Sequence, residues 1–191
     1  MKPPSPTRPH LIIMVGIPGA GKTTFAERFA TTFHAPFVSV EQIQKKLFGN
    51  QKDQAYHDIA LATADLLLGE VLKAHQTVVY DGPTSDPTRR QELVKIAKAA
   101  DYLPMFVWTQ TESAEAEKRT IKRRTMTRED FHTAIDAFVP PTVKEAAIVI
   151  SGKHAYVSQL KIVLKNLAGT RENQKSASHA RQKPHRNIVV R

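Results

Sequence analysis

The 191-residue chain is 41% hydrophobic and 24% charged, an ordinary globular balance, with length for one α/β domain and a substantial core but not for two full domains. It has no cysteine, which excludes a disulfide framework, a thiolate metal site and a cysteine nucleophile. The formal net charge is +10 and no stretch approaches the length of a membrane span, so the composition fits a cytoplasmic protein that meets anions.

Residues 1–10, with four prolines, read as a disordered leader. Lys2 and Arg8 ahead of an apolar run mimic a signal peptide, but the run Leu11-Ile12-Ile13-Met14-Val15 is only five residues long. It reads instead as a buried parallel strand. It leads into Gly16-Ile17-Pro18-Gly19-Ala20-Gly21-Lys22-Thr23, which fits G-x-x-x-x-G-K-[ST] at every fixed position. Phe25, Ala26, Phe29 and Ala30 then recur at helical spacing. Strand, glycine-rich loop and helix are the context in which this motif cradles nucleotide phosphates. Glycines allow close backbone approach, and the helix N-terminus offers free N–H donors and a positive dipole end. The loop from Gly16 through Pro18, Gly19, Ala20 and Gly21 to Lys22, Thr23 and Thr24 is therefore expected to bind ATP. Lys22 would reach the β/γ-phosphates, and Thr23 would ligate Mg²⁺.

Pro36 to Val40 reads as a second strand, with Glu41 at its carboxyl end and a helix over Glu41–Phe48. A long helix follows over Tyr56–His75, with Ile59, Leu66, Leu67, Val71 and Leu72 expected on its inner face. Thr77 to Asp81 gives a third strand that ends in a carboxylate, and Asp86-Pro87 opens the next helix as N-cap and first-turn proline. That helix carries Arg89, Arg90, Leu93, Val94 and Ile96 as far as Ala100, and Leu103–Thr109 makes the fourth strand. A charged helix over Glu112–Arg124 and a second opened by Thr127-x-x-Asp130 form a small lid at about residues 112–138. Pro140-Pro141 ends it, Ala146–Ile150 makes the fifth strand, and Tyr156–Leu167 the closing helix. Trp108 and the other aromatics read as core or strand residues and not as a stacking platform, and His57, His75 and His132 stand singly, without metal-ligand spacing.

Strands alternating with helices predict an α/β fold, a three-layer sandwich around a mostly parallel five-stranded sheet at residues 11–168. Residues 169–191 read as a basic disordered tail. Within it Arg171, Lys175, Arg181, Lys183, Arg186 and Arg191 face only Glu172, so the tail carries half of the net charge. It is either an arm for nucleic-acid phosphates or a solubilising extension.

Ligands of open α/β sheets bind outside the carboxyl ends of the strands, so the remaining chemistry is sought there. Asp81 is the second acidic residue of the site, placed to hold Mg²⁺ or orient an acceptor. Glu41 is placed to act as general base toward an acceptor hydroxyl. Arg119 and Arg123, one helical turn apart, could close together on the phosphates, with Arg124 beside them. No N-K-x-D guanine signature is present, which favours ATP over GTP.

The run GIPGAGKTT, the carboxylate after the second strand, VVYDGPTSDPTRRQEL and the arginine-bearing helix together resemble the P-loop kinases of the polynucleotide kinase type, often labelled AAA-type ATPases. Zeta toxins, gluconate kinases and chloramphenicol phosphotransferases are similar in layout. The resemblance spans Leu11 to Leu167. It implies that Lys22 and Thr23 bind phosphate and Mg²⁺, that Asp81 is the acidic residue ending the third strand, and that Arg119 and Arg123 are lid arginines. The family usually carries an aspartate base after the second strand and an arginine three residues on; here Glu41 and Gln44 stand there, with Lys45 adjacent. The glutamate changes the reach of the carboxylate by about 1 Å. Three readings follow: a kinase for a nucleic acid 5′-hydroxyl, a kinase for a small metabolite, sugar or antibiotic, and an ATP-binding module or weak ATPase.

Overall fold

The apolar runs of the sequence become five parallel strands of one sheet. The computed structural model describes residues 8–181 apart from Lys52 and Arg124, with the backbone alone described over 169–181. In chain order the elements are β1 (His10–Val15), α1 (Lys22–Phe33), β2 (Phe37–Ser39), α2 (Val40–Phe48), α3 (Gln54–Leu72) and β3 (Val78–Asp81). There follow α4 (Pro87–Ala99), β4 (Leu103–Gln110), α5 (Ser113–Lys122), α6 (Arg128–Asp136), a 3₁₀ turn (Val143–Glu145), β5 (Ile148–Ser151) and α7 (Tyr156–Arg181). The sheet order is β2-β3-β1-β4-β5, with β1 at the centre.

Alternation along β1 divides the core into two layers. Leu11, Ile13 and Val15 face the layer formed by α3 and α4, where they meet Leu68, Leu72 and Leu93. Ile12 and Met14 face α1 and α7, meeting Phe25, Phe29 and Val163. Every residue of β1 is buried, which explains why the strand reads as one continuous apolar run. Helix starts follow local chemistry. Ser39, Asp53, Asp86 and Thr127 each accept a backbone N–H at the N-terminus of a helix, and Pro87 opens α4.

Four expectations are corrected. The inner face of α3 is Ala60, Ala64, Leu68 and Leu72, whereas Leu66 is 74% exposed and Ile59 49%. Small residues open this face at Ala60 and Ala64 and leucines continue it at four-residue spacing, while Ile59 and Leu66 point away. The leader gives way before residue 10: β1 starts at His10, the Leu103 amide donates to the Pro9 carbonyl, and Arg8 pairs with Asp101. The fifth strand starts later than Ala146, because Thr142 and Glu145 close a reciprocal cap and Ala146 leaves the turn in a left-handed conformation at φ 47°. Finally, α7 does not end at Leu167 but runs to Arg181, into the segment read as a disordered tail. That stretch holds no proline before Pro184, and the helix passes through Gly169. Residues 1–7 of the leader and 182–191 of the tail lie outside those described.

Candidate active site

The carboxyl ends of β1, β3 and β4 bring the candidate residues to one edge of the sheet. Gly16, Gly19 and Gly21 have φ of 144°, 73° and 104°, a region that side chains with a Cβ rarely enter. Space enforces the same choice. A Cβ at Gly19 would collide with the Ala116 carbonyl and the Thr120 hydroxyl, so the loop is seated directly against α5. A Cβ at Gly152, just past β5, would collide with the Ala20 carbonyl, and the Thr111 hydroxyl donates to that carbonyl at 3.0 Å. The loop is thus held from α5 and from the ends of β4 and β5. Pro18 is half-buried on its outer surface, Ala20 is fully buried, and Thr24 is exposed on the first turn of α1.

The Lys22 ammonium folds back on its own loop, donating to the Gly16 carbonyl at 2.8 Å and the Ile17 carbonyl at 2.9 Å. Burial pushes it below the ordinary lysine range, while the charges of Asp81 and Glu41 oppose that shift. The Thr23 hydroxyl donates to Asp81 Oδ2 at 2.6 Å. Asp81 is 5% exposed, and burial pushes its carboxyl above the usual aspartate range, with Thr23 and Lys22 pulling the other way. Glu41, exposed in the first turn of α2, completes the cluster, since its charge acts on both Lys22 and Asp81.

A glycine cradle, an ammonium held by carbonyls that phosphate oxygens can replace, and a hydroxyl beside a carboxylate make a donor set of hard oxygens. That set fits a nucleotide with Mg²⁺: one or two protein oxygens for the metal and the rest from phosphates. Among the described residues, no group of three or more His, Asp or Glu is arranged to hold a metal by itself.

Arg119 and Arg123 come together on the other flank of the loop. With Gly19, Gly21, Thr24 and Arg28 they line a cavity of about 170 Å³. Arg119 also donates to Glu115 at 3.0 Å and to the Gly152 carbonyl at 3.1 Å, so the helix partner and the site contact coexist. Arg28 stacks over the Tyr156 ring at 4.4 Å on the wall of this cavity. Arg124 lies outside the described residues. Both ends of the Gln44 amide are engaged: its nitrogen donates to the Gln51 carbonyl at 3.0 Å and its oxygen meets His57 Nδ1 at 3.2 Å.

One constellation near the site escapes sequence reasoning. Arg90, fully buried, pairs with Glu145 through Nε at 2.6 Å and Nη2 at 3.3 Å, and its Nη1 donates to the carbonyls of Thr84, Ser85 and Val139. It ties the loop after Asp81 to the segment that returns from the lid. Thr84 donates to the Met14 carbonyl at 2.7 Å, anchoring the same loop to β1. Next to it Arg89 bonds Asp65 and the Tyr80 hydroxyl. Burial works against the Arg89 cation, but those two acceptors hold its pKa above the ordinary value. The only signal in the sequence is a pair of arginines on a helix; their partners are distant in the chain.

Residues 11–141 match the family described as an AAA domain. No curated protein matches the chain. Among solved structures, a gluconokinase from Sinorhizobium meliloti 1021 is similar with a TM-score of 0.66 and 20% identity, over 90% of this chain and 98% of that one. Chaetomium thermophilum Kti12, in complex with ADP-AlF3, is similar with a TM-score of 0.60 and 14% identity, over 83% and 97%. A chain of the Pnkp1/Rnl/Hen1 RNA repair complex aligns with a TM-score of 0.61 and 22% identity, over 72% of this chain but 46% of its own length. At these identities the likeness is one of fold, the P-loop α/β fold that binds nucleotides.

Proposed function

This chain belongs to the AAA domain family, and from that premise we propose that it is an ATP-dependent kinase transferring the γ-phosphate of ATP to a hydroxyl acceptor. The observation that carries the reading is the Thr23–Asp81 hydrogen bond beside Lys22, which joins the phosphate loop to an acidic strand end. That pair is where a P-loop enzyme would hold the Mg²⁺ of its nucleotide, and Glu41, whose charge acts on both Lys22 and Asp81, adds a base for an acceptor hydroxyl. Thr23 and Asp81 would hold the Mg²⁺ that accompanies ATP, which would supply positive charge against the charge developing on the phosphates. Lys22 exchanges the Gly16 and Ile17 carbonyls for β/γ-phosphate oxygens, and Arg119 and Arg123 cover the phosphates from the lid. Glu41 takes the proton of the acceptor hydroxyl; the new O–P bond forms as the bond from the γ-phosphorus to ADP breaks.

A small hydroxylated acceptor fits this chain better than a polynucleotide 5′-hydroxyl. The family's bidentate phosphate grip is replaced by Gln44, whose amide is engaged by Gln51 and His57. A polynucleotide would have to rely on Lys45 and the basic tail. The test is transfer from labelled ATP to D-glucose, D-gluconate and a 5′-hydroxyl oligonucleotide, with Lys22→Ala as control. The expected result is Mg²⁺-dependent transfer that falls about 10²–10³-fold in the control. ATP hydrolysis without transfer to any acceptor would replace the kinase with an ATP-binding module.

A further inference from the structure

Helix α2 carries one face past the candidate base. Glu41, Gln44 and Phe48 stand at i, i+3 and i+7, so they share a side of the helix. Glu41 turns toward the phosphate site, where its charge acts on Lys22 and Asp81. The other two meet the start of α3: Gln44 bonds His57, and Phe48 stacks on Tyr56 with ring centres 4.5 Å apart. The bond pattern fixes the state of the His57 ring. The Gln51 carbonyl can only accept, so at 3.0 Å it takes a proton from the Gln44 side-chain nitrogen. The Gln44 oxygen can likewise only accept, so the His57 Nδ1 that it meets at 3.2 Å carries a proton. In the neutral ring Nε2 is then a bare lone pair. Nε2 makes no hydrogen bond among the described residues, and His57 is only half-buried. The imidazole is thus oriented by partners on one edge and open on the other, as a ring held for a ligand is.

Resting on the kinase reading, we propose that His57 is the specificity-determining residue of the acceptor site and that the acceptor is a neutral polyol. One hydroxyl of the polyol meets Glu41, and a second donates to His57 Nε2. The step from Glu41 to His57 is one helical turn and one hydrogen bond, which a six-carbon polyol covers. Gln44 is the positioning residue, because its amide dictates which ring nitrogen keeps the proton. A hydroxyl has a proton for the Nε2 lone pair, whereas a carboxylate brings only lone pairs of its own.

The full chain, with its histidine ring nitrogens isotopically labelled, is observed by NMR at about pH 8, where an ordinary imidazole is neutral. The His57 signals are assigned by their loss in His57→Phe. D-glucose, D-sorbitol and sodium acetate are added in turn, with and without ATP and Mg²⁺. The expected result is a proton on Nδ1 in the free chain, and a saturable shift of Nε2 with a polyol but not with acetate. Gln44→Leu breaks the relay and should give a mixture of the two tautomers. In labelled-ATP transfer, His57→Phe keeps a planar ring and removes the lone pair, so the KM for the polyol should rise about three- to tenfold with a smaller effect on kcat. The proposal is overturned if His57 keeps its proton on Nε2, if neither polyol moves that signal, or if the variant keeps the parent's KM for the acceptor. A relay that only ties α2 to α3 would give the last of these. A polyol response at His57 without phosphate transfer would remove the kinase reading and keep the polyol site; transfer with an unchanged acceptor KM in the variant would do the opposite.

Discussion

Thr23 Oγ1 lies 2.6 Å from Asp81 Oδ2, so the helix that starts inside the phosphate loop is bonded to the last residue of the neighbouring strand. The two oxygens are held together at the place where a hard cation would arrive. Their closeness comes from strand order, because β3 lies directly beside β1.

Asp81→Asn keeps the shape of that contact and removes a buried charge. Since burial disfavours the ionised carboxyl, the variant should melt at a higher temperature than the parent while phosphate transfer falls by about 10²-fold or more. Calorimetry and labelled-ATP transfer on the same preparation check both halves. A variant that keeps its turnover would remove Asp81 from the metal site.

The same group sets a pH dependence. Its folded pKa lies above the ordinary 3.8, so its contribution to stability is most favourable when it is protonated and declines as pH rises from 3.8 through the raised folded value. The Thr23 hydroxyl favours the ionised form, and Thr23→Val should therefore move the Asp81 titration to still higher pH. Carboxyl NMR of the free protein measures it; an unmoved titration would show that the hydrogen bond does not govern the charge.

Arg90→Ala takes the shared donor from three carbonyls and leaves Glu145 with its Thr142 cap alone. Breaking a buried, multiply bonded ion pair should cost about 3–5 kcal/mol in urea unfolding. It also frees the Asp81–Asp86 loop from the lid's return segment, so ATP turnover should fall even where the protein remains folded. Arg90→Lys restores the charge but not the fork and should recover only part of either loss.

Two leucines of α3 test its orientation. Leu68→Ala empties a fully buried position and should cost about 2–5 kcal/mol. Leu66→Ala, at a side chain 74% exposed, should stay within about 0.5 kcal/mol of the parent. Equal effects would mean that the helix packs by a different face.

What was legible in the sequence was what is local. The motif Gly16–Thr23 carries its own geometry, and the apolar run of β1 and the Asp86-Pro87 helix start carry theirs. Asp81 could be placed because a carboxylate ends a buried strand, and Arg119 and Arg123 because helical spacing joins them. The inner face of α3 misled because alanine, not leucine, marks the close approach to the sheet. The Arg90 clasp was illegible because Glu145 lies 55 residues away and no local pattern announces it. The run of α7 past Leu167 has no local signal, because a basic, proline-free segment suits a helix and a solvated coil alike and Gly169 marks a plausible end.

The central position of β1 also orders the making of the protein. Its partners are residues 78–80 and 103–108, and Gly16 and Ala20 rest on Thr109, Thr111 and Gly152. During synthesis its supports are translated roughly 60 to 130 residues after the phosphate loop itself. Until they arrive the loop lacks its shape and a nucleotide has no structure to grip. A nucleotide that binds the folded loop therefore stabilises only chains whose sheet has closed.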